Sequence, residues 1–584
     1  MTATRWLIAS GLLCFLGLVP LFAQVQFTDV SAAAGITHSI AGEGVCIFDY
    51  DNDGWEDILV LNLNGANLLY RNLGNLAFQE VAGSAGLAHP GQNRSAAAAD
   101  IDNDGDLDVA IGVVNDSCRL FLNNGDGTFT DITGTAGLQA AQDVRGIAWC
   151  DIDQDGWVDL YVTNLQTPNA FYRNNGDLTF IDVTTALNAA GPVSPGLVMS
   201  AGFFDYDGDG DEDLFMPQDG QLGNVLLRME SSGVFTDVSA AAGVVVPVQG
   251  MGVAIGDYNR DGWPDVYTTN LDENTLFRNR GDGTFEDVTQ AAGVGDAPLS
   301  MGWGTFFFDA DNDGWPDIYN NNQTGFGQVP NSFFRNRHDG TFADLSVASG
   351  LASTNDGIGA AFADLDNDGD LDIFLAGHPS PAGSLILFRN DSQNNHHWIQ
   401  FLLRGVTANR SAVGAVVRLY TSDGVQMSFV AAGNGYASQN TLRQHFGLGS
   451  IGAIDSVVVS WPGGRRENFG APAVDRQQVL VEGQGTTGLP SSDDVLPQGF
   501  VLEQNYPNPF NPQTIIRYRL PDRVEVELAV FDLSGKRVAV LVQGMQSAGW
   551  HSVRWQPQGV DSGVYFYRLR VGSHTITRKA LYLR

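Results

Sequence analysis

Between residues 27 and 391 short apolar runs alternate with clusters of Asp, Asn and Gly, and the same order of runs returns at a fixed period. A strand of small residues comes first (44–48, 95–99, 359–363), and an apolar strand follows the polar cluster (58–60, 160–162, 373–375). An L-[FY]-R-N strand is third (69–72, 171–174, 388–390), a G-D-G-T-F turn follows it at 125–129 and 281–285, and an F-x-D-[VIL] strand closes the unit. Four short strands per unit, separated by turn residues, predict an all-β array. The polar cluster reads D-x-[DN]-x-D-G-x-x-D and starts at Asp49, Asp100, Asp151, Asp205, Asp257, Asp309 and Asp364, so the spacings are 51, 51, 54, 52, 52 and 55. Seven such units, with Gly and Ala crowding the strand that would lie nearest the axis, predict a seven-bladed β-propeller. An F-T-D-V strand at 27–30 precedes any first strand, while the seventh unit stops after Asn390. The N-terminal strand is therefore expected to complete the last blade and remove the open edge.

The loops carry the chemistry. Positions 1, 3, 5 and 9 place oxygen ligands at Asp49, Asp51, Asp53 and Asp57; Asp100, Asp102, Asp104 and Asp108; Asp151, Asp153, Asp155 and Asp159; and Asp205, Asp207, Asp209 and Asp213. The series continues with Asp257, Asn259, Asp261 and Asp265; Asp309, Asp311, Asp313 and Asp317; and Asp364, Asp366, Asp368 and Asp372. Carboxylates held about 4 Å apart repel by roughly 4 kcal/mol per pair at an effective dielectric near 20, so the clusters call for a cation. A mostly protein-built oxygen shell suits Ca²⁺ better than Mg²⁺, and up to seven ions are expected. An EF-hand is excluded, because Val60 and Leu375 stand where its last Glu would be and strands flank the loop. The fifth loop is irregular: Asn259 replaces a carboxylate and Arg260 stands beside it.

Composition narrows the function classes. The formal net charge is -36, and the loops supply 27 of the 67 acidic residues. Lys occurs only at Lys536 and Lys579, which argues against nucleic-acid binding through a basic surface. Residues 1–23, with Arg5 ahead of an apolar run, read as a secretory signal, and no later stretch is apolar enough to span a membrane. Cys46, Cys118 and Cys150 remain in the mature chain, an odd number that argues against a disulfide framework.

The loops resemble the FG-GAP or VCBS repeats of integrin α-subunit propellers and of the cartilage acidic protein family. That resemblance covers 24–391 and implies calcium in the loops, with partners docking on the opposite face. Residues 396–483, with H-H-W-I at 396–399, N-R-S-A-V-G-A at 409–415, G-Y-A-S-Q at 435–439 and W-P-G-G at 461–464, resemble the ASPIC/UnbV domain. Its alternating segments predict a small β-sandwich or β-rich cap, in which Tyr436 and His445 read as structural. A linker at 484–497 follows. Residues 498–584 resemble the C-terminal sorting domain of the type IX secretion system, expected as an Ig-like β-sandwich. That implies engagement of the type IX machinery and a secreted or outer-surface location in a bacterium with an outer membrane.

Two function classes follow. One is a non-catalytic calcium-held scaffold that binds an extracellular protein or glycan, as an adhesion protein would. The other is an extracellular carbohydrate-active, lyase-like enzyme, for which His38, His89 and His378 with Arg94 and Arg145 are the groups available on the face away from the loops. No H-E-x-x-H, G-x-S-x-G or close carboxylate pair supports catalysis, so the expectation is binding without catalysis.

Overall fold

The computed structural model describes residues 25–486, apart from 139–141, 166, 192–196, 325–328 and 379–384, together with most of 501–582. The expected signal at 1–23 lies outside the described residues, as does the linker from 487 onward. The chain forms two compact units, Met1–Thr487 and Gly488–Arg584.

In the first unit the strands from Phe27 to Asn390 build seven four-stranded antiparallel sheets, two of them joined through a short pairing between Asp108–Asp116 and Gln142–Cys150. The first strands Gly42–Phe48, Asn93–Ala99, Gln142–Cys150, Gly202–Phe204, Gly250–Gly256, Gly302–Phe308 and Gly357–Ala363 touch in succession, and the last touches the first. The ring is closed, and the architecture is an all-β propeller. Small side chains make it possible: Ala97, Ala98 and Ala99 are fully buried where neighbouring sheets converge.

Closure uses the strand anticipated from the sequence. Phe27–Asp29 pairs antiparallel with the third strand of the seventh sheet, setting Phe27 opposite Asn390. Phe27 is 2% exposed, packing on Phe308 and Phe333, and the Ser31 hydroxyl accepts the Leu387 amide at 2.9 Å. After several fourth strands the chain makes a one-turn helix that the sequence pattern did not announce, as at Thr133–Ala136, Ser239–Ala242 and Thr289–Ala292. The Asp of F-x-D starts each turn, its carboxylate accepting the amide of Thr133, Ser239 or Thr289, which satisfies an N–H the turn leaves over.

Residues 397–481 add two further sheets. One joins Gln444–Gly449, His397–Arg404 and Arg476–Val481; the other joins Gly424–Phe429, Val416–Thr421, Ser456–Ser460 and Arg466–Asn468. Their apolar faces enclose Ile399, Phe401, Val417, Leu419, Val457 and Val459, and this core continues into the second propeller sheet through Ala97 and Ala110 and into the third through Trp149 and Leu160. The second unit is a sandwich of three-stranded and four-stranded sheets over a core that includes Ile516, Leu528, Trp555 and Tyr567.

Candidate functional site: the acidic loops and an axial plug

Each acidic loop leaves the first strand and enters the second, and its carboxylates are drawn inward by backbone amides. In the first loop Asp49 accepts the amides of Asp53 and Gly54 at 3.1 and 3.0 Å, and Asp53 accepts that of Trp55 at 3.0 Å. Asp57 accepts those of Tyr50 and Asn72 at 3.1 and 2.7 Å. The same anchoring of position 9 to the third strand recurs at Asp108, Asp159, Asp213, Asp265, Asp317 and Asp372. Position 6 is Gly with positive φ; position 4 is left-handed too, with φ of 55° at Asn52, 59° at Asn103 and 56° at Asn312. Asn tolerates that region better than most residues. Its side chain then links neighbours: Asn103 donates to the Gly156 carbonyl, Asn312 to Gly369 and Asn367 to Gly54, the last bond joining the seventh loop to the first.

Carboxylates converge within each cluster. Ligand oxygens of Asp49, Asp51 and Asp53 lie within 4.8 Å of one another, as do those of Asp100, Asp102 and Asp108, of Asp151, Asp153 and Asp159, of Asp205, Asp207 and Asp213, and of Asp309, Asp311 and Asp317. Burial, reinforced by neighbouring carboxylates, raises their pKa values from 3.8: Asp57 and Asp213 to about 9, Asp108 and Asp159 to about 8, Asp100 and Asp257 to about 7. Asp317 and Asp372 are pushed well up for the same reasons. One carboxylate oxygen each of Asp51, Asp311 and Asp366 is buried and accepts no hydrogen bond, which is costly unless a cation takes it. Such a donor set fits a hard divalent ion held by oxygen. The Arg of L-[FY]-R-N supplies part of the missing charge: Arg71 pairs with Asp51 and Asp53 at 2.7 and 3.0 Å, and Arg335 with Asp311 and Asp313 at 2.7 and 2.8 Å. The final Asn of that motif is a clamp between blades, since Asn72, Asn123 and Asn390 donate to Leu365, Tyr50 and Ala310 in the preceding sheet. In the fifth loop Asn259 donates to Asp261 at 3.0 Å. Arg260, however, turns away from the loop, pairing with Asp423 at 3.1 Å and stacking on Trp315 at 4.9 Å.

Residues 396–486 lie over this loop face. Arg443 approaches Asp49 at 3.7 Å and Glu56 at 3.3 Å. The Ser411 hydroxyl accepts the Asp100 amide, Asn409 donates to Asp151, and Gln400 donates to Asp364. The His445 ring, half-buried between cap and loops and kept neutral because desolvation lowers its pKa to about 3, meets Asn312 at 2.6 Å.

From this cap a single segment enters the propeller axis. Ala432 bridges to Trp149, Gly435 to Val253 and Gln439 to Cys46; the Gln439 side chain bonds both backbone groups of Ala98. Tyr436, 0% exposed, sits at the centre. The first strands, and in the fourth blade the segment just before its first strand, surround it with the residue six places before each loop: Glu43, Arg94, Arg145, Met199, Met251, Trp303 and Ile358. Their register shifts, as between Gly42 and Val45, Gly302 and Thr305, or Gly357 and Ala360, turn these side chains inward as bulges do. The ring is polar on one side and apolar on the other. Tyr436 packs with Met199, Met251 and Ile358 and lies 4.6 Å from Trp303 edge to face, while its hydroxyl is turned toward Arg94 and Arg145. A Cβ at Gly44 would stand 2.0 Å from the Ala437 carbonyl oxygen, which explains the glycine. Sequence reasoning placed Tyr436 as structural but missed the plug; the signal available was G-N-G-Y-A-S-Q together with the small residue that follows each ring position.

The three histidines of the opposite face do not converge. His38 pairs with the Tyr70 hydroxyl at 2.8 Å, His89 with Asn93 at 2.8 Å, and His378 lies 3.5 Å from Glu43. Cys46, Cys118 and Cys150 are free and buried.

A closed all-β propeller with an acidic loop in every repeat defines a class. The chain belongs to the FG-GAP-like repeat family, whose model matches residues 49–111, 110–162, 151–216, 205–268, 257–320 and 321–375. The ASPIC and UnbV model matches 405–487, and the secretion system C-terminal sorting domain matches 504–582. Among relatives, cartilage acidic protein 1 of Homo sapiens is 27% identical over 483 residues, covering 75% of this chain and 71% of its own length. The Xenopus tropicalis protein is 27% identical over 499 residues, covering 76% and 74%. Among solved structures, an Agrocybe aegerita lectin that recognises non-reducing terminal N-acetylglucosamine aligns at 20% identity and TM-score 0.36 over 54% of this chain and 84% of its own. The SapL1 lectin, in complex with alpha methyl fucoside, aligns at 12% and 0.32 over 52% and 95%. The sorting domain directs the protein through type IX secretion to the cell surface or the extracellular space. Among the described residues no helix is long and apolar enough to cross a membrane.

Proposed function

We propose that this secreted or surface propeller is loaded with calcium and works, without catalysis of its own, as a scaffold that binds an extracellular protein or glycan. The observation that carries the reading is the repeated convergence of carboxylates whose buried oxygens lack hydrogen-bond donors. Positions 1, 3, 5 and 9 of each loop would hold the ion, and calcium bound there would neutralise the cluster and fix the loop. The chain's own residues do the rest. Backbone amides hold Asp49 and its counterparts in place, the Asn clamps tie every blade but the fourth, where Met229 stands at that position, to the preceding one, and the cap bonds to the loops from outside. The scattered partners of His38, His89 and His378 favour binding over acid–base chemistry. Calorimetric titration of the mature chain should show uptake of up to seven calcium ions, and a chelator should lower the melting temperature. Absence of calcium uptake would overturn the reading. Export is tested separately: without 498–584 the protein should stay in the periplasm of a type IX host, and equal surface yield would refute the sorting role.

A further inference from the structure

A cleft of about 540 Å³ opens where the cap meets the first two acidic loops, a volume in the range of small-molecule sites. One wall is Asn52, Gly54, Asp104 and Asp106 of the loops; the other is built from the strands His397–Arg404 and Arg476–Val481 and from Arg410. Three arginines line it. Arg443 is committed to Glu56 and to the Asp49 carboxylate. Arg404 and Arg410 are not: among the described residues neither lies within ion-pair distance of any carboxylate, and Arg410 Nε is buried with no hydrogen-bond partner. In a chain with 31 Lys and Arg against 67 Asp and Glu, two uncommitted guanidinium groups facing one cleft are a pointed placement of charge. Of the acidic lining, Asp49, Asp100 and Asp104 belong to the ion-holding sets, Glu56 is paired with Arg443, and Asp106 accepts a hydrogen bond from Asn52.

We infer that this cleft binds an acidic saccharide, with Arg404 and Arg410 taking its carboxylate or sulfate groups. The inference rests on the calcium reading, because with the loops unneutralised the cleft would repel an anion. Guanidinium forks match planar and tetrahedral oxyanions. The amides of Asn52 and Gln478 offer both donors and acceptors to ring hydroxyls. Phe48, Leu403 and Leu442, 1, 2 and 6% exposed, belong to the core behind the cleft, while Val479, 45% exposed, and the partly exposed Leu107 and Leu402 give a shallow apolar edge suited to the C–H face of a sugar ring.

The test uses the mature full-length chain in millimolar calcium, titrated with a uronate tetrasaccharide, a sulfated tetrasaccharide, a neutral tetrasaccharide and an acidic hexapeptide. At least one acidic saccharide should bind, more weakly as salt rises, while the neutral sugar does not. The double variant Arg404→Gln with Arg410→Gln should lose at least tenfold in affinity, Arg404→Gln alone should lose less, and calcium uptake should be unchanged in both. Because Arg404 is an exposed side chain, the single variant tests the site even where the double variant folds poorly. Unchanged affinity in the variants, equal binding of the neutral sugar, preference for the acidic peptide, or normal calcium uptake with no saccharide binding would each overturn the assignment. The last outcome would leave the calcium reading standing. Failure of calcium uptake itself would remove both.

Discussion

Tyr436→Ala tests whether the cap and the propeller are one cooperative body. The side chain is fully buried within the axial ring, and truncating a buried aromatic side chain costs about 3–5 kcal/mol. The edge-to-face contact with Trp303 at 4.6 Å contributes ~0.5–1.5 kcal/mol beyond area burial in such pairs, so we take about 4 kcal/mol. Over a unit of roughly 460 residues the unfolding entropy is about 1 kcal/mol/K, and the melting temperature should fall by about 4 °C. Tyr436→Phe keeps the ring and loses only the hydroxyl facing Arg94 and Arg145, so its cost should be about 1 kcal/mol. Differential scanning calorimetry should show residues 25–486 melting as one transition in the wild type, with the C-terminal sandwich melting separately. Hydrogen exchange over 430–441 should be slow in the wild type and accelerate in Tyr436→Ala. The reasoning fails if Tyr436→Ala melts within a degree of the wild type, or if cap and propeller already melt apart in the wild type.

Phe27→Ala should cost about 3–5 kcal/mol by emptying a buried aromatic site at the seam, and deleting 26–31 should cost more; a truncated chain that melts with the intact one would refute the latch. The fifth loop should hold calcium most weakly, because Asn259 supplies an amide where the other loops have a carboxylate. Asn259→Asp should raise that site's affinity in calorimetric titration, whereas Arg260→Ala should change it less, since Arg260 is turned to Asp423 and Trp315. Glu482 is lowered from 4.5 to about 2, burial being outweighed by hydrogen bonds from the Thr407 hydroxyl and the amides of Val406, Ala408 and Thr407. With its folded pKa below the unfolded one, its contribution is complete above about pH 4.5 and lost as pH falls through 2. Glu482→Gln should therefore melt below the wild type at pH 7, and the gap should narrow between pH 4.5 and 2; a gap independent of pH would contradict this.

The sequence by itself determined whatever repeats. The propeller, its closing N-terminal strand and the acidic loops were all legible, because a strand alternates every two residues and a loop with fixed turn geometry needs the same residue type at the same offset each time. What the tertiary structure alone decided is what happens once per molecule or between distant segments. That Asn72 reaches Leu365, that Arg260 leaves its own loop for Asp423, and that Gly435 pairs with Val253 are contacts across hundreds of residues or between blades, and no local pattern encodes them. The axial ring is the clearest case. Glu43, Arg94, Arg145, Met199, Met251, Trp303 and Ile358 share an offset but no chemistry, so they read as unrelated until closure of the ring points them at one tyrosine.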